Sequence, residues 1–292
     1  MEDHEIKKIV RDRYGKVAKS ASCCGPSEAP RLELTPKTTN TSRIEITPKT
    51  TNTSCSCSSG IGYTLEDIES IPEGADLGLG CGNPTASADL KKGETVLDLG
   101  SGGGIDCFLA ANKVGGEGKV IGVDMTPNMI DVARENALKR NYENVEFRLG
   151  EIENLPVADN SIDVIISNCV INLSTDKDKV FQEAYRVLKP NGRVLISDIV
   201  LTKEIPESLR NNPDAYAGCI AGAILKEDYL QKIANAGFKD ISVIEESTFP
   251  ETAIKEDPDT LEKIEKSSFT LDDIKSVLAA TQSIKVKAIK KP

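Results

Sequence analysis

From Lys91 onward, apolar residues come in short β-branched runs separated by stretches in which they recur every three or four positions. The runs Thr95–Leu99, Lys119–Asp124, Val145–Leu149, Ile162–Ser167 and Arg193–Asp198 predict buried parallel strands. The periodic stretches Ile105–Lys113, Pro127–Arg140 and Lys177–Leu188 predict the helices between them. Pro190-Asn191-Gly192 predicts a turn into the fifth strand. Strictly alternating strands and helices imply an α/β fold, a doubly wound sheet with ligands at the C-terminal ends of its strands. Beyond it, a helix at Lys226–Ala236, a strand near Ile241–Ile244 and a last strand at Ser283–Ile289 predict a small α+β C-terminal extension.

The N-terminal part has a different texture. Ile6, Ile9, Val10, Tyr14 and Val17 recur at helical spacing and predict a short amphipathic helix over residues 3–18. Cys23-Cys24 follows. The segment RLELTPKTTNTS is then repeated at once as RIEITPKTTNTS, which reads as a low-complexity linker or exposed hairpin ending at Cys55-Ser56-Cys57. Thr64-Leu65-Glu66-Asp67 has the form of a capping box, with its helix stopped before Pro72. A glycine-rich loop containing Cys81 leads to the first strand. The expected organisation is therefore a cysteine-containing N-terminal segment over residues 1–60, a ligand-binding sheet domain over 61–200, and a loop plus C-terminal extension over 201–292.

Composition narrows the chemistry. With 46 acidic and 36 basic side chains the formal charge is −10, which disfavours phosphate backbones and argues against a nucleic-acid partner. No apolar run approaches the roughly 20 residues of a spanning helix, so no membrane partner is expected, and the charged N-terminus has no signal core. The expected location is the cytoplasm. In that reducing setting eight cysteines point to metal binding or catalysis rather than a disulfide framework. The single histidine, His4, leaves little room for chemistry that needs an imidazole base.

The first strand runs into Asp98-Leu99-Gly100-Ser101-Gly102-Gly103-Gly104, where bare backbone amides can meet a ligand. The dinucleotide pattern would need glycine at position 105, which is Ile105. Asp124, at the end of the second strand, lies where a carboxylate accepts hydrogen bonds from ribose hydroxyls. This combination of DLGSGGG and GVD resembles the S-adenosylmethionine-dependent methyltransferases of the Rossmann-like class I fold. The resemblance implies that Asp98 and the loop of Gly100, Ser101, Gly102 and Gly104 hold the methionine end of the cofactor. It further implies that Asp124 and Met125 meet the ribose, that Glu151 and Ile152 border the adenine, and that Asn168 lies beneath the sulfonium.

Three cysteines sit where loops converge over such a cofactor: Cys81 in the glycine-rich loop, Cys169 in SNCVINL after the fourth strand, and Cys219 in AGCIAGA after the fifth. With GCGNP around Cys81, GEIENLP, and the Cys23-Cys24 pair, these contexts resemble the arsenite S-adenosylmethionine methyltransferases from about residue 5 to about residue 245. The resemblance implies that Cys81, Cys169 and Cys219 bind trivalent arsenic as thiolates and that Cys24 takes part in a redox relay. Arsenite and methylarsenite would be the substrates, and an external thiol reductant of the thioredoxin or glutathione type would restore the enzyme. Soft arsenic suits thiolate ligands, and its lone pair needs no base to become a nucleophile. The 12-residue duplication and the reduced C-terminal region, residues 246–292, depart from the family pattern.

Other readings stand beside this one. Cys107, on the first crossover helix, reads as a core residue. Cys23, Cys24, Cys55 and Cys57 could hold zinc, although their CC and CXC spacings are atypical, or could serve redox chemistry or auxiliary arsenic binding. The chain could instead be a methyltransferase for a quinone, sterol or small amine, which leaves the cysteine contexts unexplained. It could also be a non-catalytic metalloid-binding protein, which leaves Asp98, Gly102 and Asp124 unexplained.

Overall fold

The computed structural model describes residues 2–20, 61–210, 219–248 and 271–292. Cys23, Cys24, Cys55, Cys57 and the tandem repeat lie outside the described residues, as do the expectations attached to them.

Seven strands form one sheet in the order β3-β2-β1-β4-β5-β7-β6. They are β1 (Thr95–Leu99), β2 (Lys119–Asp124), β3 (Val145–Leu149), β4 (Ile162–Asn168), β5 (Leu188–Leu201), β6 (Lys239–Thr248) and β7 (Thr281–Ile289). Strands β1 to β5 pair in parallel, while β7 runs antiparallel to both β5 and β6. The helices are α1 (Asp3–Ser20), α2 (Leu65–Ser70), α3 (Pro84–Ser87), α4 (Ile105–Val114), α5 (Pro127–Lys139), α6 (Lys177–Val187), α7 (Glu207–Arg210), α8 (Lys226–Asn235) and α9 (Leu271–Ala280). This is the class I methyltransferase fold.

Successive side chains of a strand point to opposite faces, and both faces of the sheet are buried. Val96, Val120, Val164, Ile166 and Leu195 pack with Phe108 of α4 and Ile130 of α5. Leu97, Val123, Ile165, Val194 and Ile196 pack with Phe181 of α6 and with Tyr229 and Ile233 of α8. The five β-branched runs were legible because strands covered on both sides tolerate little polarity.

The described part of residues 201–292 includes two strands of the sheet. These, β6 and β7, complete it along the edge of β5, where Ser197 lies opposite Lys285 and Arg193 opposite Ile289. That pairing also lengthens β5 beyond the expected Arg193–Asp198. Pro190-Asn191-Gly192 falls inside the strand, with Asn191 in the left-handed region at φ 68°. It is held there by Asn191 N–H donating to Lys290 O at 2.7 Å and Lys290 N–H to Gly192 O at 2.9 Å. The pairing with β4 shifts register at the same place, so the turn chemistry appears as a local irregularity. β6 outgrows Ile241–Ile244 because β7 offers it a full partner, and as the edge strand it carries charged residues such as Glu245 and Glu246.

Two N-terminal expectations are met in detail. Thr64 caps α2 with a reciprocal box: its side chain accepts from Asp67 N–H at 3.1 Å, and Asp67 accepts from Thr64 N–H at 3.0 Å. Helix α1 buries Ile6 and Val10 and lies against the C-terminal ends of the strands. Lys7 of α1 reaches Glu151 at 2.6 Å and Glu153 at 3.4 Å beyond β3.

Candidate active site

Strand β1 lies between β2 and β4, so the crossovers leaving it and β4 open to opposite sides. A cavity of 420 Å³ occupies that switch point. Asp98 and the loop from Gly100 to Gly103 form its floor, with Asp124, Met125 and Thr126 after β2, Gly150 and Ile152 after β3, and Asn168 and Cys169 after β4. Tyr14 and Val10 of α1 and the loop from Leu77 to Cys81 border it as well.

Of the residues expected at the cofactor, Asp98, Gly100, Ser101, Gly102, Asp124, Met125, Ile152 and Asn168 line this cavity; Gly104 and Glu151 do not. Gly104 caps α4 at φ 98°, and a side chain there would fall 2.6 Å from the Phe108 ring, so the residue serves the strand-to-helix turn. Glu151 turns outward to Lys7, and Glu153 takes its place at the cavity wall.

The cavity floor is acidic, while Lys7 and Arg13 of α1 line the cavity as well. Asp98 is buried and accepts a hydrogen bond from the Cys107 thiol at 3.3 Å. Burial, reinforced by the neighbouring Asp106, pushes its carboxyl well above the ordinary range. Asp106 is pushed up to about 6 by burial, against the opposing hydrogen bonds from Tyr63 and Asn168. Asp124 accepts from Gly102 N–H at 3.0 Å and Thr126 N–H at 2.8 Å, although burial still raises it. Ser101 Oγ is buried with no hydrogen-bond partner in the protein. Desolvated carboxylates facing a cavity suit a ligand that brings positive charge. S-adenosylmethionine carries both an ammonium and a sulfonium, so the residues present fit it.

At one side of the cavity three thiols from distant segments converge. Cys81, Cys169 and Cys219 all line it, within an apolar cluster that includes Val10, Leu173, Ile199 and Ala221. Cys219 Sγ donates to Cys169 O at 3.1 Å, and Cys81 Sγ contacts Ser197 O at 3.6 Å. The thiols of Cys219 and then Cys81, followed by burial, push the Cys169 thiol well above its usual range. Sulfurs this close cannot ionise together unless a positive centre shares their charge. Cys169 and Cys219 both sit in the left-handed region, at φ 57° and 65°. Such backbone is costly for a residue with a side chain, and it is concentrated at functional sites. Asp198, fully buried behind the thiols, forms with Cys81 and Cys169 a group whose ligand atoms lie within 4.8 Å of one another.

The geometry is matched by similarity to known proteins. The methyltransferase-domain family matches residues 90–237. An arsenic(III) S-adenosylmethionine methyltransferase from Chlamydomonas reinhardtii superposes with a TM-score of 0.60 at 35% identity, over 79% of this chain and 71% of that one. The chain belongs to the arsenic(III) S-adenosylmethionine methyltransferase family. It is 49% identical over 240 residues to the arsenite methyltransferase of Halobacterium salinarum, covering 82% of this chain and 59% of the relative. The chain thus spans about three fifths of that relative's length. A phosphoethanolamine N-methyltransferase from Haemonchus contortus, solved with phosphomonomethylethanolamine and S-adenosylhomocysteine, superposes at a TM-score of 0.55 with 25% identity, over 74% of this chain and 54% of that one.

Residues at the site that the sequence alone did not single out are Tyr63, Asp106, Asp198 and the role of Tyr14. None belongs to a recurring motif. Asp106 follows the glycine loop directly and was the most accessible of them to a search for acidic residues at that turn. Cys107 is fully buried in the core, as expected, and adds the thiol contact to Asp98. Among the described residues no helix is long and apolar enough to cross a membrane.

Proposed function

We propose that this protein transfers methyl groups from S-adenosylmethionine to trivalent arsenic, first arsenite and then methylarsenite, held by the thiolates of Cys81, Cys169 and Cys219. The observation that carries this reading is the convergence of these three thiols on the cavity that Asp98, Gly102 and Asp124 line. An amine or carbon acceptor would call for a base or a charged clamp at that position, and would leave three adjacent thiols without a purpose.

Asp98 and Asp106 offer their buried negative charge to the ammonium end of the cofactor, and Asp124 accepts from the ribose while holding Gly102 N–H. When bound, S-adenosylmethionine supplies an electrophilic methyl group on a positively charged sulfur. The thiols displace the oxygen ligands of arsenite, their protons leaving with those oxygens as water. The arsenic lone pair, left free by three As–S bonds, forms the new As–C bond as the methyl–sulfonium bond breaks, so no side chain has to remove a proton. Rate enhancement comes from alignment, and the apolar cluster around the thiols keeps water from the reacting atoms.

Methyl transfer leaves arsenic pentavalent. A thiol pair returns it to the trivalent state by giving two electrons and closing to a disulfide, with Cys24 as the relay thiol. An external thiol reductant of the thioredoxin or glutathione type reopens the disulfide. The test is incubation of the full chain with arsenite, labelled S-adenosylmethionine and a thiol reductant, followed by separation of arsenic species. Labelled methylarsenic that depends on the reductant is expected. Consumption of the cofactor only with a nitrogen or carbon acceptor overturns the reading.

A further inference from the structure

The end of β4 and the loop that carries Cys81 are joined by a single amide. Asn168 Oδ1 accepts from Cys81 N–H at 3.0 Å, and Asn168 Nδ2 donates to Gly82 O at 2.7 Å. The same nitrogen donates to Tyr63 Oη at 2.9 Å, with Asp106 Oδ2 at 3.3 Å. Tyr63 in turn donates to Asp106, 2.9 Å from each carboxylate oxygen. The loop closes tightly on this side chain. A Cβ on Gly80 would fall 2.7 Å from Asn168 Nδ2, so residue 80 must lack one for the loop to lie against the amide.

We propose that Asn168 is the positioning residue for the Cys81 thiolate: the residue immediately before one arsenic ligand fixes the main chain of another. This deepens the trithiolate reading and rests on it. A primary amide has two N–H donors and one carbonyl acceptor. Here the acceptor meets Cys81 and the donors are taken by Gly82 and Tyr63, so Asn168 meets the demands of the loop although it also lines the cavity. The three ligands are anchored unequally. Cys169 N–H donates to Ser197 O of β5 at 2.8 Å, and Cys219 is tied to Cys169 through its thiol. Cys81 is half-buried and belongs to a glycine-rich loop with no strand or helix of its own. Beside Asn168, it is tied by Ser283 Oγ, which donates to Cys81 O at 3.1 Å, and by its own thiol contact to Ser197 O. Asn168 thereby ties the Cys81 loop to the residue beside Cys169 across 87 positions of the chain. Tyr63 holds the amide in turn, linking it to Asp106 at the cavity floor.

The experiment uses the full chain with arsenite and a phosphine reductant, so that every sulfur bound to arsenic comes from the protein. X-ray absorption counts As–S bonds in wild type, Asn168→Ala, Asn168→Ser and Cys81→Ser, alongside turnover with each arsenical, cofactor affinity by calorimetry and thermal melting. Wild type is expected to show three sulfurs and both Asn168 variants two. Arsenite turnover in those variants should fall about ten- to a hundredfold, the usual effect of losing a partner that orients a ligand, and by more than either methylarsenite turnover or cofactor affinity. Tyr63→Phe, which removes the outer tie together with the Tyr63–Asp106 hydrogen bond, should keep three sulfurs on arsenic and lose less arsenite turnover than the Asn168 variants. A folded Asn168 variant with three sulfurs and unchanged arsenite KM overturns the proposal, as does a loss confined to cofactor affinity. If Cys81→Ser itself keeps three sulfurs, the trithiolate reading fails instead.

Discussion

Cys219 donates its thiol to the main-chain carbonyl of Cys169 across 3.1 Å, although the two residues are 50 positions apart in the chain. Both adopt left-handed backbone, and together they form the fixed side of the thiol cluster. Cys81 is half-buried and comes from a glycine-rich loop instead. This asymmetry bears directly on the order of methyl additions, because arsenite offers three exchangeable ligands and methylarsenite only two.

Cys169→Ser and Cys219→Ser are therefore expected to abolish methylation of both arsenicals, since a hydroxyl is a hard, poorly ionised ligand. Cys81→Ser should lose arsenite methylation and keep part of the methylarsenite activity. Assays of each purified variant with each arsenical under excess reductant check this. Full arsenite turnover by the Cys169 or Cys219 variant would sink the mechanism.

Asp124→Ala should weaken cofactor binding while leaving arsenite binding intact. The substitution removes a buried acceptor and leaves Gly102 N–H, now bonded at 3.0 Å, without its partner. Hydrogen bonds to charged groups contribute about 1.5–3 kcal/mol each, so calorimetry should show at least a roughly tenfold loss of affinity. Unchanged affinity would show that the ribose lies elsewhere.

The two neighbouring glycines should separate folding from binding. Gly104→Ala forces a side chain to within 2.6 Å of the Phe108 ring at φ 98°, so the melting temperature should drop sharply. At Gly102 a Cβ would meet nothing within 4 Å, although φ is 50°. Gly102→Ala should cost only the left-handed strain, about 1 kcal/mol, yet reduce cofactor affinity because the methyl enters the cavity. Melting curves and calorimetry on the pair decide it. Equal losses of stability would contradict the assignment.

Cofactor affinity should depend on pH. In the folded protein Asp106 is held up to about 6, with burial as the main cause, and Asp98 is also raised. A cationic ligand favours the ionised carboxyls, so affinity should fall as pH drops through about 6, where Asp106 takes up its proton, by up to about tenfold per pH unit. Binding near pH 6 should release protons, visible as a dependence of the calorimetric heat on buffer ionisation. The same raised values act oppositely on the unliganded fold. Its native state binds protons more tightly than the unfolded chain, so Asp106 costs stability as pH rises from 3.8 through about 6, and Asp98 acts in the same direction. A pH-independent affinity between 5 and 8 would rule out the acidic floor as the cation site.

The sequence alone determined the parallel core of the sheet, because β-branched runs at the spacing of a buried strand admit few other structures, and the ends of α4, α5 and α6 were legible to within a residue or two. It also singled out Cys81, Cys169 and Cys219, whose sequence contexts resemble the family's and which the fold brings to one cavity. Tertiary structure alone decided what depends on partners far away in the chain. β7 draws Pro190-Asn191-Gly192 into β5, overriding the local preference for a turn, because an unpaired edge leaves its N–H and C=O groups without hydrogen bonds. Gly104 and Glu151 fall outside the cavity because Phe108 and Lys7 claim them. Asn168, expected beneath the cofactor, lines the cavity and also spends its amide on the Cys81 loop, a pairing across 87 positions that no local pattern encodes.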